Sequence, residues 1–236
     1  MTTLLIATRN AHKVGEIRAI LGDRFRYRTL KDFPTAPGVI EDAPTFAGNA
    51  TKKAVELAHW FADIRSSMLD VGCSMFFILA DDSGLEVAAL NGAPGVHSAR
   101  FAALDGSAAV CGAPAAGQTN SPDADNNAKL LRLLKDVPLE KRTARFRCVI
   151  ALVAVAGGAR VPASRLASTL APPQLFDGAC EGHIDFAPRG QGGFGYDPLF
   201  IPDGFTQSFA ELGEDVKNRK SHRAKALAKL KQALAQ

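Results

Sequence analysis

Cysteine is scarce in this chain: Cys73, Cys111, Cys148 and Cys180 are the only four in 236 residues, each more than thirty positions from the next. With no C-x-x-C pair, neither a zinc-ligand spacing nor a dithiol redox motif is present, and scattered thiols suit a reducing cytoplasm. Long apolar runs are also missing. The longest, such as Val149 to Ala156, fall far short of the roughly 20 residues a membrane helix needs, so no transmembrane span and no membrane partner are expected. Thr3 to Ala7 is a short apolar stretch with no basic segment before it, which argues against a secretory leader. The phosphate-loop pattern G-x-x-x-x-G-K-[ST] is absent too. What remains is ordinary: 47% hydrophobic and 22% charged residues exclude a disordered chain, a collagen and a coiled coil. A chain of this length buries a core without disulfides.

The net charge of +4 is unevenly spread. Lys217, Arg219, Lys220, Arg223, Lys225, Lys229 and Lys231 follow one another with no acid among them, so the rest of the chain is acidic on balance. A basic stretch of this kind suits nucleic acid, an anionic surface or a small polyphosphate.

Hydrophobic spacing sets out the elements. Thr3 to Ala7 reads as a buried strand, followed by a polar turn and a helix with Val14, Ile17 and Leu21 inward. A strand near Tyr27 to Leu30 precedes a proline-containing loop, Phe33 to Pro44, which carries Glu41. Thr45 caps a helix whose apolar face runs Phe46, Ala50, Ala54, Leu57, Phe61 and Ile64. Met75 to Ala80 predicts a central strand ending at Asp81-Asp82-Ser83-Gly84. Turns at Asn91-Gly92 and Pro94-Gly95, a loop from Asp105 to Ser121 and a helix from Asp123 to Leu134 come next. Ala144 to Val155 reads as a long strand, Gly157 to Pro173 as a loop, and Cys180 to Phe186 as a strand. Pro188 to Gly195 is a glycine-rich turn, and a helix starts at Ser221. Strands alternating with helices and a long central strand predict an α/β or mixed α+β sheet, and no repeat or linker isolates a domain within 1–236.

Four places carry candidate chemistry. Thr8-Arg9-Asn10-Ala11-His12-Lys13 lies where a strand meets a helix start, where unpaired N–H groups and a partial positive charge favour phosphate; a plain capping turn is the alternative. Asp81-Asp82-Ser83-Gly84 puts two carboxylates at the end of a buried strand, where open α/β sheets place ligands and where hard oxygen donors suit magnesium. Side chains alternate in extended backbone, so one aspartate faces the ligand and the other supports the loop; an acidic turn is the alternative. Glu41 joins them only if the fold brings it near Asp82. Gly190-Gln191-Gly192-Gly193-Phe194-Gly195 satisfies G-x-G-x-x-G, yet Tyr196-Asp197-Pro198 follows in place of the helix a dinucleotide fingerprint opens. Its glycines instead let the backbone approach a ligand, with Phe194 or Tyr196 available to stack on a planar ring. In Lys217-Asn218-Arg219-Lys220-Ser221-His222-Arg223, Ser221 caps a helix, and guanidinium beside imidazole can read a carbonyl-bearing base edge. A solvated basic helix end is the other reading.

Taken together these blocks resemble one family. Thr8-x-Asn10-x-x-Lys13, Thr45-Phe46 with Asn49 and Lys53, Ala80-Asp81-Asp82-Ser83-Gly84-Leu85, Gly92-Ala93-Pro94-Gly95-Val96-His97-Ser98-Ala99-Arg100, Gly192-Gly193-Phe194-Gly195-Tyr196-Asp197-Pro198 and Ser221-His222-Arg223 stand in the order seen in inosine/xanthosine triphosphate pyrophosphatases. The resemblance runs from Leu5 to about Leu234. Arg9 departs from it, standing where many relatives have glycine. The segments 65–74, 108–122 and 157–173 look longer than the family minimum and are expected on the surface.

The resemblance implies an elongated, two-lobed α/β fold with a mixed sheet and a nucleotide cleft between lobes, in a homodimer. It implies magnesium-dependent hydrolysis of ITP, dITP or XTP to the monophosphate and pyrophosphate. Thr8, Arg9, Asn10 and Lys13, with Lys53 and Lys217, would hold the polyphosphate, whose transition state needs positioning and charge neutralisation. Glu41 and Asp82 would hold Mg2+, with Asp82 also accepting a proton from the attacking water. Ser83, Phe194, Gly195, Tyr196 and Asp197 would line the substrate site, and His222 and Arg223 would read the purine. The alternatives are a related pyrophosphatase of other modified or pyrimidine nucleotides, and a nucleic-acid-binding module using the basic stretch.

Overall fold

The computed structural model describes residues 2–65, 76–104, 120–155 and 170–234. Its strands are β1 (Thr3–Ile6), β2 (Arg26–Thr29), β3 (Phe76–Val87), β4 (Thr143–Val155), β5 (Gln174–Ile184) and β6 (Phe200–Pro202). They form one sheet in the order β2-β1-β3-β4-β5-β6. β1 runs parallel to β2 and to β3, whereas β5 and β6 are antiparallel, so the sheet is mixed as expected. β1 is buried at every position, which is why it reads as an unbroken apolar run. The helices are α1 (Ala11–Leu21), α2 (Phe46–Arg65), α3 (Asp123–Leu133), α4 (Phe209–Lys220) and α5 (His222–Ala233). Among the described residues no helix is long and apolar enough to cross a membrane.

Contacts divide the chain into two compact units. The first comprises Met1–Asp82, Val149–Phe176 and Leu230–Gln236. Its core gathers β1, Ile17 and Leu21 of α1 and the inner face of α2, where Ala50, Ala54, Leu57, Ala58 and Phe61 are buried. Phe61 stacks on Phe76 with centroids 4.0 Å apart, and Phe33 meets Phe61 edge-on at 5.6 Å. Thr45 caps α2 as its sequence predicts: its Oγ1 accepts from Gly48 N at 3.0 Å, a contact of the kind that stabilises a helix by about 1 kcal/mol.

The second unit comprises Ser83–Cys148 and Asp177–Lys229. Leu85, Val87, Phe101, Leu130, Leu134, Phe146, Tyr196, Phe200 and Phe209 belong to its buried cluster. Phe200 lies 4.7 Å from Phe146 and 5.4 Å from Phe209, so aromatic packing joins β4, β6 and α4. Ser221 caps α5, its Oγ accepting from Ala224 N at 3.2 Å.

Three expectations are corrected. The strand read as ending at Asp81 continues through Asp81-Asp82-Ser83-Gly84 to Val87. Acidic residues normally break a buried strand, but here each carboxylate meets cations, described below, so the ladder continues. β5 runs over Gln174–Ile184, starting six residues before the strand expected at Cys180 and ending two before Phe186, because its first four residues are exposed or half-buried and carry no buried apolar run. α4 was not expected at all. Its signal is the Ser208-x-x-Glu211 capping box: Ser208 Oγ accepts from Glu211 N at 3.2 Å and Glu211 Oε2 accepts from Ser208 N at 2.8 Å. Gly213, at φ 77°, interrupts the helical period and hides the element from a spacing argument. Met75 and most of the segments 65–74, 108–122 and 157–173 lie outside the described residues.

Candidate active site

In the first unit, β1 delivers the chain into the turn before α1. Thr8 Oγ1 accepts from Asn10 N at 3.1 Å, and Asn10 Oδ1 accepts from His12 N at 2.9 Å and Lys13 N at 3.2 Å. The turn is therefore a helix cap, and its hydroxyl and amide oxygens already serve the backbone of the helix start. Arg9 Nη2 donates to Ala36 O at 3.3 Å, which ties the turn to the loop that leads on to Glu41. Lys13 reaches the other way and pairs with Asp81 at 3.1 Å.

The strongest convergence surrounds Lys53, whose side chain is 11% exposed. Its Nζ donates to Asp81 O at 2.7 Å and to Glu41 Oε1 at 3.2 Å, and lies 3.6 Å from Asp82 Oδ1. Glu41 and Asp82, forty-one positions apart in sequence, thus face one ammonium group. Burial works against the charge of Lys53, but Asp82, Glu41 and Asp81 outweigh it and hold the amine above its ordinary pKa. Burial pushes the Asp82 carboxyl up, with Lys53 opposing and Glu41 reinforcing the rise. The two aspartates diverge as extended backbone requires: Asp81 meets Lys13, whereas Asp82 meets Lys53 and Asn49.

Asn49 is fully buried and had no role assigned to it from sequence. Its Nδ2 donates to Asp82 Oδ2 at 3.0 Å and its Oδ1 accepts from Ala43 N at 2.9 Å. Its i, i+4 spacing from Lys53 places both on one face of α2, and that spacing was legible.

In the second unit, residues 190–198 form a turn rather than a helix start, so the G-x-G-x-x-G match is not a dinucleotide fingerprint. Three of its glycines, Gly190, Gly192 and Gly193, accommodate the protein itself rather than a ligand, Gly193 facing the Asp197 side chain. A Cβ on Gly190, at φ 81°, would come 2.7 Å from the Ala210 carbonyl carbon, and one on Gly192 would come 2.9 Å from Ala210 O. Asp197 Oδ2 accepts from Phe194 N at 2.8 Å and pairs with Lys217, whose Nζ sits 4.1 Å from the Phe194 centroid. Lys217 belongs to this unit, and Lys13 and Lys53 belong to the other. Tyr196 is a core residue whose hydroxyl donates to Ser98 O at 2.9 Å, and burial raises its phenol pKa. Phe194 is half-buried, with the Lys217 ammonium and the Arg223 guanidinium near its ring.

His222 stacks on Phe146 at 4.8 Å, and Arg223, 1% exposed, donates to Ser83 Oγ at 2.9 Å with its guanidinium 6.0 Å from Phe194. Other cations of the basic stretch are also engaged. Lys225 donates to Ala179 O at 2.7 Å, Lys229 pairs with Asp177 at 2.7 Å, and Arg219 donates to Asp215 O at 3.1 Å.

The six-stranded mixed sheet and its helices define an α/β protein, whose first unit carries Lys53 buried among carboxylates and whose second carries a turn with Lys217 over the Phe194 ring. The chain belongs to the Ham1 family, which it matches over residues 4–233. It is 43% identical over 231 residues to the dITP/XTP pyrophosphatase of Geobacillus kaustophilus, covering 98% of this chain and 93% of that protein. With the dITP/XTP pyrophosphatase of Geobacter sulfurreducens the identity is also 43%, over 99% of this chain and 97% of the relative. The structure of a Ham1 protein from Coxiella burnetii is similar with a TM-score of 0.73 at 32% identity, covering 100% of this chain and 99% of the other.

Proposed function

We propose that the chain hydrolyses non-standard purine nucleoside triphosphates such as ITP, dITP and XTP between the α and β phosphates, releasing the monophosphate and pyrophosphate. The observation that carries this reading is the meeting of Glu41 and Asp82 at the Lys53 ammonium, with Lys13 on the neighbouring Asp81. Relatives of closely similar length, covered nearly end to end, bear the name of that activity.

Glu41 and Asp82 are the residues that would hold magnesium. Hard carboxylate oxygens are the donors this ion takes, with water and substrate phosphate completing its shell. When bound, the ion supplies positive charge to the phosphate oxygens. Lys13 and Lys53, with Thr8, Arg9 and Asn10 at the start of α1, hold and orient the polyphosphate. Asp82 accepts a proton from the attacking water. Phe194 stacks on the base, and Gly195 and Asp197 line its site with Ser83 and Tyr196. Lys217, expected at the polyphosphate, is assigned to the base site because it pairs with Asp197 and lies over the Phe194 ring. His222 and Arg223 direct donors at the 6-carbonyl. The enzyme works as a homodimer in the cytoplasm, a setting that suits the free thiols of Cys148 and Cys180.

Pyrophosphate release from a panel of nucleoside triphosphates, with and without magnesium, tests the whole reading. ITP, dITP and XTP should be cleaved far faster than ATP, and only with the ion. Orthophosphate as the first product, or equal rates on ATP and ITP, would overturn it. Sedimentation of the purified protein tests the dimer.

A further inference from the structure

Two residues of α3, neither used above, grip the turn that carries Phe194. Asp123 Oδ2 accepts from Gly195 N at 2.6 Å, and Asn127 Nδ2 donates to Gly195 O at 3.0 Å. Standing four positions apart, they project from one face of the helix. Between them they bind the peptide on each side of the Gly195 Cα. That residue has φ 64°, a conformation glycine enters easily and leaves easily, so its own preferences do not hold the turn. Inside the turn, Asp197 N donates to Phe194 O at 3.3 Å and Asp197 Oδ2 accepts from Phe194 N. Tyr196 is anchored through its hydroxyl to Ser98. Gly195, between the stacking ring and this anchor, has no side chain with which to brace itself, and the α3 pair supplies the brace.

We propose that Asp123 and Asn127 are positioning residues that hold Phe194 ready for the purine and so set the affinity for the base without touching it. The inference rests on Phe194 being the ring that stacks on the substrate. A platform already ordered before binding does not lose conformational freedom when the ligand arrives, and affinity gained in this way is specific to the part of the ligand that the platform meets. Release of the brace therefore weakens base binding and leaves phosphate binding unchanged.

The test uses the full chain and the variants Asn127→Leu, Asp123→Leu, their combination, and Asp123→Asn, whose amide oxygen still accepts from Gly195 N. Hydrogen exchange of the peptide covering 193–198 is read in ligand-free protein, alongside calorimetric affinity for IMP and inhibition by inorganic pyrophosphate. In the combined variant the 193–198 amides should exchange faster and IMP should bind about tenfold more weakly, within the range of one aromatic–base stack. Pyrophosphate inhibition should stay within about twofold of the parent, because the residues proposed to hold it, Thr8, Arg9, Asn10, Lys13 and Lys53, lie outside the turn. Asp123→Asn should behave like the parent. Should Asp123→Leu weaken folding at the start of α3, Asn127→Leu carries the test alone, since leucine is a good helix former at a mid-helix position. Unchanged exchange at 193–198, unchanged IMP affinity, or equal weakening of IMP and pyrophosphate overturns the proposal. A parent protein that neither binds IMP nor splits ITP overturns the base-site reading instead, and the exchange measurement still decides whether α3 orders the turn.

Discussion

Asn49 donates to Asp82 across 33 positions of sequence, and the same side chain accepts from the backbone of Ala43, two residues beyond Glu41. One buried amide thereby ties the proposed metal-holding aspartate to the loop that carries the proposed metal-holding glutamate. Because Asn49 engages Oδ2 of Asp82, the other oxygen, Oδ1, is the one turned toward Lys53.

Asn49→Ala removes both bonds and takes that partner from the half-buried Ala43 N–H and from a buried Asp82 oxygen. Such losses cost about 1–3 kcal/mol each, so a stability loss of that order is expected in urea unfolding. Turnover of ITP should fall at least about tenfold, and Asp82→Asn, which alters the carboxylate itself, should lower it about a hundredfold. Asp81→Asn should be milder. Near-normal turnover in Asp82→Asn would remove Asp82 from the reaction.

Lys13 is argued to hold phosphate oxygens as a point charge while pairing with Asp81, whose side chain is almost wholly buried. Lys13→Ala should weaken ITP much more than IMP or inosine. It should also destabilise the fold, since it removes a cation from a buried carboxylate, and adding Asp81→Asn should recover much of that loss while leaving ITP binding weak. Equal weakening of ITP, IMP and inosine would place Lys13 away from the polyphosphate.

Arg223 is held by Ser83 beside Phe194, and choice of base is where it should count. Hypoxanthine and xanthine offer a carbonyl at position 6 where adenine offers an amino group, so a donor aimed there is satisfied by ITP and opposed by ATP. Sites that bind a particular polar group reject analogues lacking it by as much as about 10⁴–10⁵. Arg223→Ala should lower activity on ITP and narrow the ITP to ATP ratio of specificity constants, with Ser83→Ala shifting both in the same direction by less. A fall in ITP activity at constant ratio would make Arg223 a general binding residue.

His97 gives the fold a pH dependence. Burial, reinforced by Arg100, lowers its pKa below 6.5, and Arg100 Nη2 lies 3.2 Å from Nδ1, which must accept. The neutral imidazole is the form the fold favours, so its contribution is complete above pH 6.5 and is lost as pH falls below that value through the lowered pKa. Unfolding midpoints between pH 7 and 5 should decline with a slope of at most about 1.4 kcal/mol per pH unit from this group. His97→Asn should flatten that part of the profile; an unchanged slope would assign it to other groups.

Periodicity and turn chemistry were enough to determine β1, α1, α2 with its Thr45 cap, α3, β4 and α5 with its Ser221 cap, because each depends on residues within a few positions of one another. The lysine and asparagine at i, i+4 on α2 were equally legible, as was the failure of the glycine run to open a helix. What spacing could not decide was whether Glu41 and Asp82 share a partner, that Lys217 pairs with Asp197, or that Tyr196 turns inward to Ser98. Nor could it show that β3 runs on through two aspartates. Each of these depends on groups far apart in sequence: a carboxylate stays in a buried strand only when a cation or amide from another element offsets its desolvation, and only the folded chain brings that partner to it.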